Sequence, residues 1–479
     1  MSRSQHISGR ILPNLSTQPR DTAAPVVDTS KQSTGRNKRS RNTCLLIVTV
    51  GIALGLVLVC SVAAILEQFP WQSRIHQAML VDSPICGTWQ ADTVQRVNLG
   101  GLEAVAVVSP TDIWAVGSTH DLVAYLPLIE HWDGKTWRSV DAPGPRSRLT
   151  ASLYGIAAIS ANDIWAVGDV DYDTSGNFAS RSFIEHWDGV QWSTVPSPNP
   201  GADSNHLNGV VAIAPDNVWA VGGYQSQASS AWRALVLHWD GTKWKDIANL
   251  PTARDAELAA VTAIGPDNIW AVGSYRNAYI NGLRTLVMHW DGALWSVVPS
   301  PSETSSTTSS KASSITSTMT YSNLNDVAAT SPDDVWAVGS YRTSTQKQNQ
   351  TLLLHWDGKV WDHIPSPSGS LKHHNNLFSL AVVSKNDVWA VGNQIVMRGW
   401  WGTEPLILHW DGLQWSLVPS PRPQDFQSLR SVVPVSQDEV LAVGMAQNED
   451  RAQNALVARF RKSPCATPSS TTGTSTGEP

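Results

Sequence analysis

The sequence predicts an all-β fold, a seven-bladed β-propeller of four-stranded blades, preceded by one transmembrane helix. A motif Asp/Asn-Val/Ile-Trp-Ala-Val-Gly occurs six times in the 479 residues, and a seventh copy has Leu441 in place of its Trp. A second motif, His-Trp-Asp-Gly-x-x-Trp, follows each of the first six copies. A period of 51–54 residues, broken once by an insertion, is typical of a propeller blade. A segment of 23 residues without a charge, 44–66, precedes the repeats.

The uncharged segment is long enough to cross a bilayer, because a helix rises about 1.5 Å per residue and the hydrocarbon core is about 30 Å thick. Lys38, Arg39 and Arg41 stand directly before it. The positive-inside rule therefore places residues 1–43, a polar tail that we expect to be disordered, in the cytoplasm. The protein is predicted to be a single-pass protein of the cell membrane, with the rest of the chain outside the cytoplasm.

The apolar segment could instead be a cleaved signal peptide or a lipoprotein signal. A cleaved signal peptide normally has an apolar region of about 7–15 residues, which is shorter than this one. A lipoprotein signal ending at Cys60 is disfavoured because Leu58 and Val59 are bulky where small residues are expected. We therefore favour an uncleaved anchor, followed by a stem over residues 67–85.

Composition and charge exclude one class of partner. The net charge is −6, and without the basic tail it falls to −12. An acidic exterior disfavours nucleic acid as a partner. The chain also has 23 Trp, more than its 6 Phe and 8 Tyr together.

Each repeat contains four short segments with strand character. In the second repeat they are LYGIAAIS, DIWAVG, SFIEHW and QWSTVP. The Asp-Gly between the third and fourth segments is a strong signal for a tight hairpin. One repeat carries an insertion, Ser302–Ser322, in which 15 of 21 residues are Ser or Thr, and this composition is typical of a flexible loop.

The repeats resemble those of kelch proteins over residues 86–465, in the Gly that follows the second strand and in the later spacing of aromatic residues. The resemblance implies a propeller like those of bacterial exported repeat proteins. The double Gly of kelch repeats occurs only as Gly222-Gly223, and the turn between the two aromatic residues is shorter here.

The ends of the repeat array predict how the ring closes. The seventh repeat lacks a fourth strand, whereas Cys86-Gly87-Thr88-Trp89 is an isolated copy of that strand before the first repeat. We expect this N-terminal strand to complete the seventh blade, which leaves no open sheet edge. Cys86 and Cys465 are the only Cys outside the apolar segment, and we expect them to form a disulfide at this junction. Residues 466–479 are predicted to be a disordered tail.

Most of the conspicuous side chains are assigned to structure. The His of the second motif occupies an equivalent position in six blades, so these six side chains cannot converge on one metal ion. We expect each to have a hydrogen-bond partner in its own blade. Nineteen of the 23 Trp belong to the repeats and are predicted to pack between blades.

The remaining aromatic residues indicate where a ligand would bind. In an up-and-down sheet, the uniformly short connections between strands 1–2 and 3–4 lie on one face. The long, variable 2–3 and 4–1 connections lie on the other face, where binding residues concentrate. The candidate ligand contacts on that face are Trp400, Trp401, Trp232, Tyr224, Tyr275 and Tyr341.

No cofactor is predicted from a motif, and one acidic pattern is compatible with Ca²⁺. Asp169, Asp171 and Asp173 alternate in what we read as a loop on the same face. The pattern lacks the Gly and the final Glu of a calcium-binding loop, having Thr174 and Ser180 there. A solvated hairpin is the favoured alternative.

Three functions remain open from the sequence. The first is a membrane-anchored module that binds a protein, a glycan or a cell-wall component through its long loops. The second is an extracytoplasmic hydrolase or lyase acting on carbohydrate, and the third is an architectural surface domain. Enzyme motifs are missing: there is no Gly-x-Ser-x-Gly, and Asp-Gly-x-x-Trp is one residue shorter than the Asp-box of sialidases.

Overall fold

The computed structural model describes residues 85–464, apart from gaps at 93, 95–99, 121–123, 145–149, 175–176, 202, 227–230, 278–281, 302–318, 369–371, 398–400, 421–425 and 448–452. The predicted tails, the predicted membrane segment 44–66 and nearly all of the predicted stem lie outside the described residues. Within the described part of the chain, no helix is long and apolar enough to cross a membrane.

The described chain consists of β-strands in groups of four. After β1 (Gly87–Asp92), the first blade contains β2 (Gly100–Ser109), β3 (Asp112–His120), β4 (Tyr125–Trp132) and β5 (Trp137–Ser139). The second contains β6 (Ala151–Ser160), β7 (Asp163–Thr174), β8 (Asn177–Trp187) and β9 (Trp192–Thr194). The third contains β10 (Asn205–Ala214), β11 (Asn217–Gln225), β12 (Trp232–Trp239) and β13 (Trp244–Asp246).

The later blades repeat this order. The fourth contains β14 (Ala256–Gly265), β15 (Asn268–Asn277), β16 (Gly282–Trp290) and β17 (Trp295–Val297). The fifth contains β18 (Met319–Ser331), β19 (Asp334–Thr343), β20 (Gln350–Trp356) and β21 (Trp361–His363). The sixth contains β22 (His374–Ser384), β23 (Asp387–Met397), β24 (Trp401–Trp410) and β25 (Trp415–Leu417). The last strands are β26 (Phe426–Ser436), β27 (Glu439–Gln447) and β28 (Gln453–Lys462).

The sheets form a seven-bladed propeller, as the sequence predicts. Each of the seven sheets has four strands, and in six of them the strands pair in chain order. The first strands of neighbouring blades contact one another around the ring. The seventh sheet has the order β1-β28-β27-β26, so the N-terminal strand completes it. Gly87 pairs with Lys462 and Asp92 with Val457, and the Ser463 N–H donates to the Cys86 carbonyl at 2.8 Å. The predicted ring closure is confirmed.

Strand direction separates two faces of the propeller. The 1–2 and 3–4 connections are tight turns on one side, which we call the short-turn face. The 2–3 and 4–1 connections lie on the opposite side, the long-loop face. Because β1 occupies the place of a fourth strand, it runs from the short-turn face at Gly87 to the long-loop face at Asp92.

Tryptophan side chains hold neighbouring blades together. In the first five blades, the Trp of the first motif packs against both Trp of the second motif in the next blade; Trp114, for example, lies 5.0 Å from Trp187 and 5.6 Å from Trp192 between ring centroids. In the sixth blade, Trp389 packs against Trp89 and Phe460 instead. All 19 Trp of the repeats belong to the clusters between blades or pack against them. The prediction that the Trp excess is structural is confirmed.

A polar group at the short-turn face bonds to the Trp of the first motif in five of its six full copies; Trp270 Nε1 has no hydrogen-bond partner among the described residues. In the first blade, Asp112 Oδ1 accepts hydrogen bonds from Trp114 Nε1 at 2.9 Å and from His131 Nε2 at 2.8 Å. The His131 ring also stacks on Trp114 with centroids 4.1 Å apart. The His of the other five blades bonds to the equivalent Asp or Asn, which confirms the predicted partners.

The seventh blade replaces this group with ion pairs. Arg459 stands at the His position and bonds to Glu439 Oε1 at 2.7 Å and to Asp92 Oδ2 at 2.5 Å. Because Asp92 belongs to β1 and Arg459 to β28, the pair joins the first and last strands of the propeller. The Arg459 guanidinium also lies 4.5 Å above the Trp132 ring of the first blade.

Two of the connections predicted as long loops are extended hairpins. In the second blade, strand pairing continues to Thr174 and Asn177, and in the sixth it continues to Met397 and Trp401. The prediction of a loop over residues 169–173 is therefore wrong. Backbone hydrogen bonding between the strands continues beyond the repeated motif, so the variable residues extend the sheet.

Candidate functional site

The first strand of every blade is interrupted by a β-bulge at the same place. The register skips one residue after a Leu in each case, as between Leu102 and Ala104 in β2. The same shift occurs in the other six first strands. The seven unpaired residues are Glu103, Tyr154, Asn208, Ala259, Asn325, Phe378 and Arg430.

The bulge gives this position a role different from its neighbours. The Leu before it is at most 1% exposed in every blade and packs against the preceding blade. A bulge re-aims the extra side chain and is common beside functional sites. The seven bulge residues differ between blades, whereas the Leu does not, so the fold does not dictate their identity. They lie near the start of the first strands and therefore toward the long-loop face. The first strands surround the centre of the ring, and we call their end at the long-loop face the channel mouth.

Blades 7, 1 and 2 form a charged sector of the channel mouth. Arg430 Nε lies 3.6 Å from Glu103 Oε2, and the Arg430 guanidinium is 4.6 Å above the Phe378 ring. Tyr154 is 37% exposed and hydrogen bonds to Asp169 of the next strand. The sector therefore presents a carboxylate, a guanidinium and a phenol side by side.

Burial changes the acidity of these groups. It raises the pKa of Glu103, an effect that the Arg430 guanidinium opposes, and 27% of the Glu103 side chain is still accessible to water. Burial also raises the pKa of Asp169, and the nearby Asp171 carboxylate adds to the rise. The pKa of Tyr154 is raised by burial and by Asp169, so its hydroxyl stays protonated at neutral pH.

Blades 3 and 4 contribute a second sector. His206 Nε2 donates to Glu257 Oε1 at 2.7 Å, and Asn208 Nδ2 donates to the same oxygen at 3.3 Å. These bonds hold the pKa of Glu257 below its ordinary value although burial acts in the opposite direction. The Trp232 ring lies 5.0 Å from the His206 ring between centroids.

Blades 5 and 6 contribute a sector of amide side chains. Asn349 Nδ2 donates to Asn376 Oδ1 at 2.7 Å, and Asn376 Nδ2 donates to Asn393 Oδ1 at 3.1 Å. Asn325 Nδ2 donates to the Leu377 carbonyl of the next blade at 2.6 Å. This side of the channel mouth is lined by groups that both donate and accept hydrogen bonds.

Comparison with known proteins identifies no family. No family model matches the sequence, and no curated protein matches it. Among solved structures, YCF48 bound to a D1 peptide shares 13% identity over 79% of this chain and 100% of that one, with a TM-score of 0.49. An ulvan lyase of polysaccharide lyase family PL25, bound to a GlcA–Rha3S saccharide, shares 10% identity over 76% of this chain and 95% of that one, with a TM-score of 0.47.

A third similar structure is the GH74 xyloglucanase from Xanthomonas campestris. It shares 13% identity over 77% of this chain and 55% of that one, with a TM-score of 0.44. Likeness at this level concerns the propeller fold, and the site must be interpreted from its own side chains.

The predicted aromatic contacts occupy different places. Trp232 lies at the channel mouth beside His206. Tyr224, Tyr275 and Tyr341 are half-buried and pack against the clusters between blades. Trp400 lies outside the described residues, and for Trp401 the structure describes only the backbone, which pairs with Met397. A role for these residues in ligand binding stays a prediction.

The predicted calcium site is a strand segment. Asp169, Asp171 and Asp173 belong to β7, and the side chain of Asp173 lies outside the description. Among the described side chains, no group of three His, Cys, Asp or Glu could hold a metal ion. Calcium binding here stays a prediction. The Cys86–Cys465 disulfide also stays one, because Cys465 lies outside the described residues.

The bulge residues and the His206–Glu257 pair were not predicted from the sequence. These residues belong to first strands that look like continuous apolar segments, about fifty residues apart. Superimposing the seven repeats would reveal one constant Leu per blade with varied residues on both sides of it, such as His206 and Asn208 beside Leu207.

Proposed function

We propose that the protein is a membrane-anchored, kelch-like propeller that binds a glycan, cell-wall component or protein outside the cytoplasm. Residues 44–66 would anchor it, as their length and the basic residues before them indicate. The first propeller strand, β1, starts at the short-turn face and ends at the long-loop face.

The observation that carries the proposal is the set of seven bulge residues. One varied side chain per blade lies at the same level of the ring, directly after a Leu that all seven blades share. An arrangement of this kind provides a closed set of different polar and aromatic groups around one axis. A few placed polar groups with aromatic neighbours are the usual composition of a ligand site.

Binding is tested with glycan and peptide arrays and with isolated cell walls, using the full chain in detergent. We expect a ligand whose binding is lost in Tyr154→Ala/Arg430→Ala and unchanged in Leu413→Ser. Leu413 is a suitable control because it is 87% exposed at a turn on the short-turn face. Equal binding by all three proteins would contradict the proposed site.

The anchor is tested in cells that express the full chain. Trypsin added to intact cells is expected to degrade the propeller and to leave the tail over residues 1–43 intact. Recovery of the whole chain in the soluble fraction would contradict the proposed membrane attachment.

A second candidate function is supported by the raised pKa of Glu103 and Asp169. A carboxyl whose pKa is raised by burial holds its proton to a higher pH than an ordinary one, which suits a general acid toward a glycosidic oxygen. The test is release of reducing ends from polysaccharides, with Glu103→Gln and Asp169→Asn as the variants. Binding without turnover in the unmodified protein would favour the binding module.

A further inference from the structure

We infer that the cleft between blades 3 and 4 at the channel mouth is a subsite for one neutral sugar ring. The Trp232 indole would contact the C–H face of the ring, and the Glu257 carboxylate would accept hydrogen bonds from its hydroxyl groups. The inference rests on the proposed binding function and names the class of ligand for that same face.

Trp232 is held in place by groups unrelated to blade packing. It is the first residue of β12, and its backbone N–H donates to Asp255 Oδ1 of the next blade at 3.2 Å. Asp255 has a φ of 55°, a left-handed conformation that a non-Gly residue keeps only when its surroundings enforce it. The Arg276 N–H donates to the Asp255 carbonyl at 2.9 Å and fixes that turn.

Trp232 differs in this respect from the Trp of the repeats. Those side chains belong to the seven clusters between blades or pack against them, whereas Trp232 belongs to none of the clusters formed by the described residues. Its only ring neighbour among the described aromatic contacts is His206, at 5.0 Å. An indole fixed beside a channel and not needed for packing is suited to stack on a ligand.

Glu257 supplies a charged acceptor beside that indole. Its side chain is 43% exposed, and the bonds from His206 and Asn208 both go to Oε1. Oε2 takes part in neither bond and is therefore left for an incoming hydroxyl. Because His206 and Asn208 come from the neighbouring blade, the carboxylate is oriented before any ligand arrives.

The double Gly of the third blade fits this arrangement. A Cβ at Gly223 would lie 3.1 Å from Glu257 Cγ and 3.2 Å from His206 Nε2. A side chain there would displace one of the two partners. The sequence feature that is unique to this repeat therefore coincides with the inferred subsite.

Blades 5 and 6 present amide groups at the same channel mouth. The amides of Asn325, Asn349 and Asn376 both donate and accept, as the hydroxyl groups of a sugar do. A sugar hydroxyl can likewise donate to Glu257 Oε2, which takes part in neither of the two bonds to Oε1. Aromatic stacking together with mixed hydrogen bonding is the chemistry that recognises a pyranose.

The experiment is calorimetric titration of the full chain in detergent with cellohexaose, chitohexaose, mannohexaose and hexalysine. We expect at least one hexaose to bind, with about tenfold weaker binding in Trp232→Ala, corresponding to the loss of one stacking contact. Trp232→Phe is expected to keep most of the affinity, Glu257→Gln to weaken it about fivefold, and Leu413→Ser to leave it unchanged.

The outcomes separate this inference from the proposed function. Failure of all three hexaoses to bind, or hexalysine binding that depends on Trp232, would overturn the neutral-sugar subsite. Hexaose binding that is lost in Arg430→Ala but kept in Trp232→Ala would also overturn it, while supporting a site elsewhere at the channel mouth. Circular dichroism of each variant, unchanged from the unmodified protein, shows that lost binding is not lost folding.

Discussion

Replacing Glu185 with Leu is expected to raise the free energy of unfolding by about 3 kcal/mol at pH 7. Glu185 is fully buried, and among the described residues neither of its carboxyl oxygens has a hydrogen-bond partner. The equivalent residues in the third to sixth blades are Leu237, Met288, Leu354 and Leu408, all apolar and buried. The first blade has a buried Glu130 here, whose carboxyl accepts a hydrogen bond from Ser139, and the seventh has Ala458. The sheet geometry therefore accommodates Leu at this position.

The magnitude follows from the acidity of the carboxyl. Burial raises the pKa of Glu185 from 4.5 to about 8. Between these values the unfolded chain releases the proton and the folded protein keeps it, so stability falls as the pH rises. The loss is about 1.4 kcal/mol per pH unit, which gives about 3 kcal/mol at pH 7 and about 5 kcal/mol above pH 8. At pH 5 it is less than about 1 kcal/mol.

The assay is urea unfolding between pH 5 and pH 9. Glu185→Leu and Glu185→Gln should both remove this pH dependence, and Leu237→Glu should introduce one of similar size in the third blade. A stability difference between Glu185→Leu and the unmodified protein that stays constant from pH 5 to pH 9 would refute the reasoning. It would mean that the carboxyl titrates alike in the folded and unfolded chain.

Three further predictions concern the ring and its junction. Peptide mapping without reductant should recover Cys86 linked to Cys465, and two free thiols would contradict the pairing. Asn217→Asp should raise the pKa of His238 by about one unit, because a carboxylate replaces the amide beside a ring whose pKa burial lowers; an NMR titration that shows no change would contradict this. Trp389→Ala, at a fully buried site, should lower the free energy of unfolding by about 3–5 kcal/mol in urea, and a loss below about 1 kcal/mol would contradict its packing role.

Much of the fold could be predicted because the repeats record it directly. Counting the Trp motifs gives the number of blades, and the incomplete seventh repeat together with Trp89 gives the closure. The strand polarity then separates the two faces without any coordinates. These features depend on periodicity and on chain order, which one sequence contains in full.

The site could not be predicted in the same way. A bulge changes the direction of a side chain without changing the residue types around it, so Glu103 and Tyr154 look like interruptions of an apolar strand. The pairing of His206 with Glu257 joins residues of different blades, and no local motif contains both. The extended hairpin at Asp169 was predicted as a loop because acidic residues are typical of loops, whereas here they pair with β8.

The completion of the seventh blade by β1 also determines how the propeller responds to tension. Gly87 through Asp92 form six registered pairs with β28, and the chain leaves this strand at the short-turn face. A force between the proposed anchor and a ligand bound at the long-loop face would act along the axis of β1. The ladder is then strained in shear, with its hydrogen bonds stretched together, which resists rupture better than opening them one after another. A tethered propeller closed in this way can bear a pulling force through the strand that closes it.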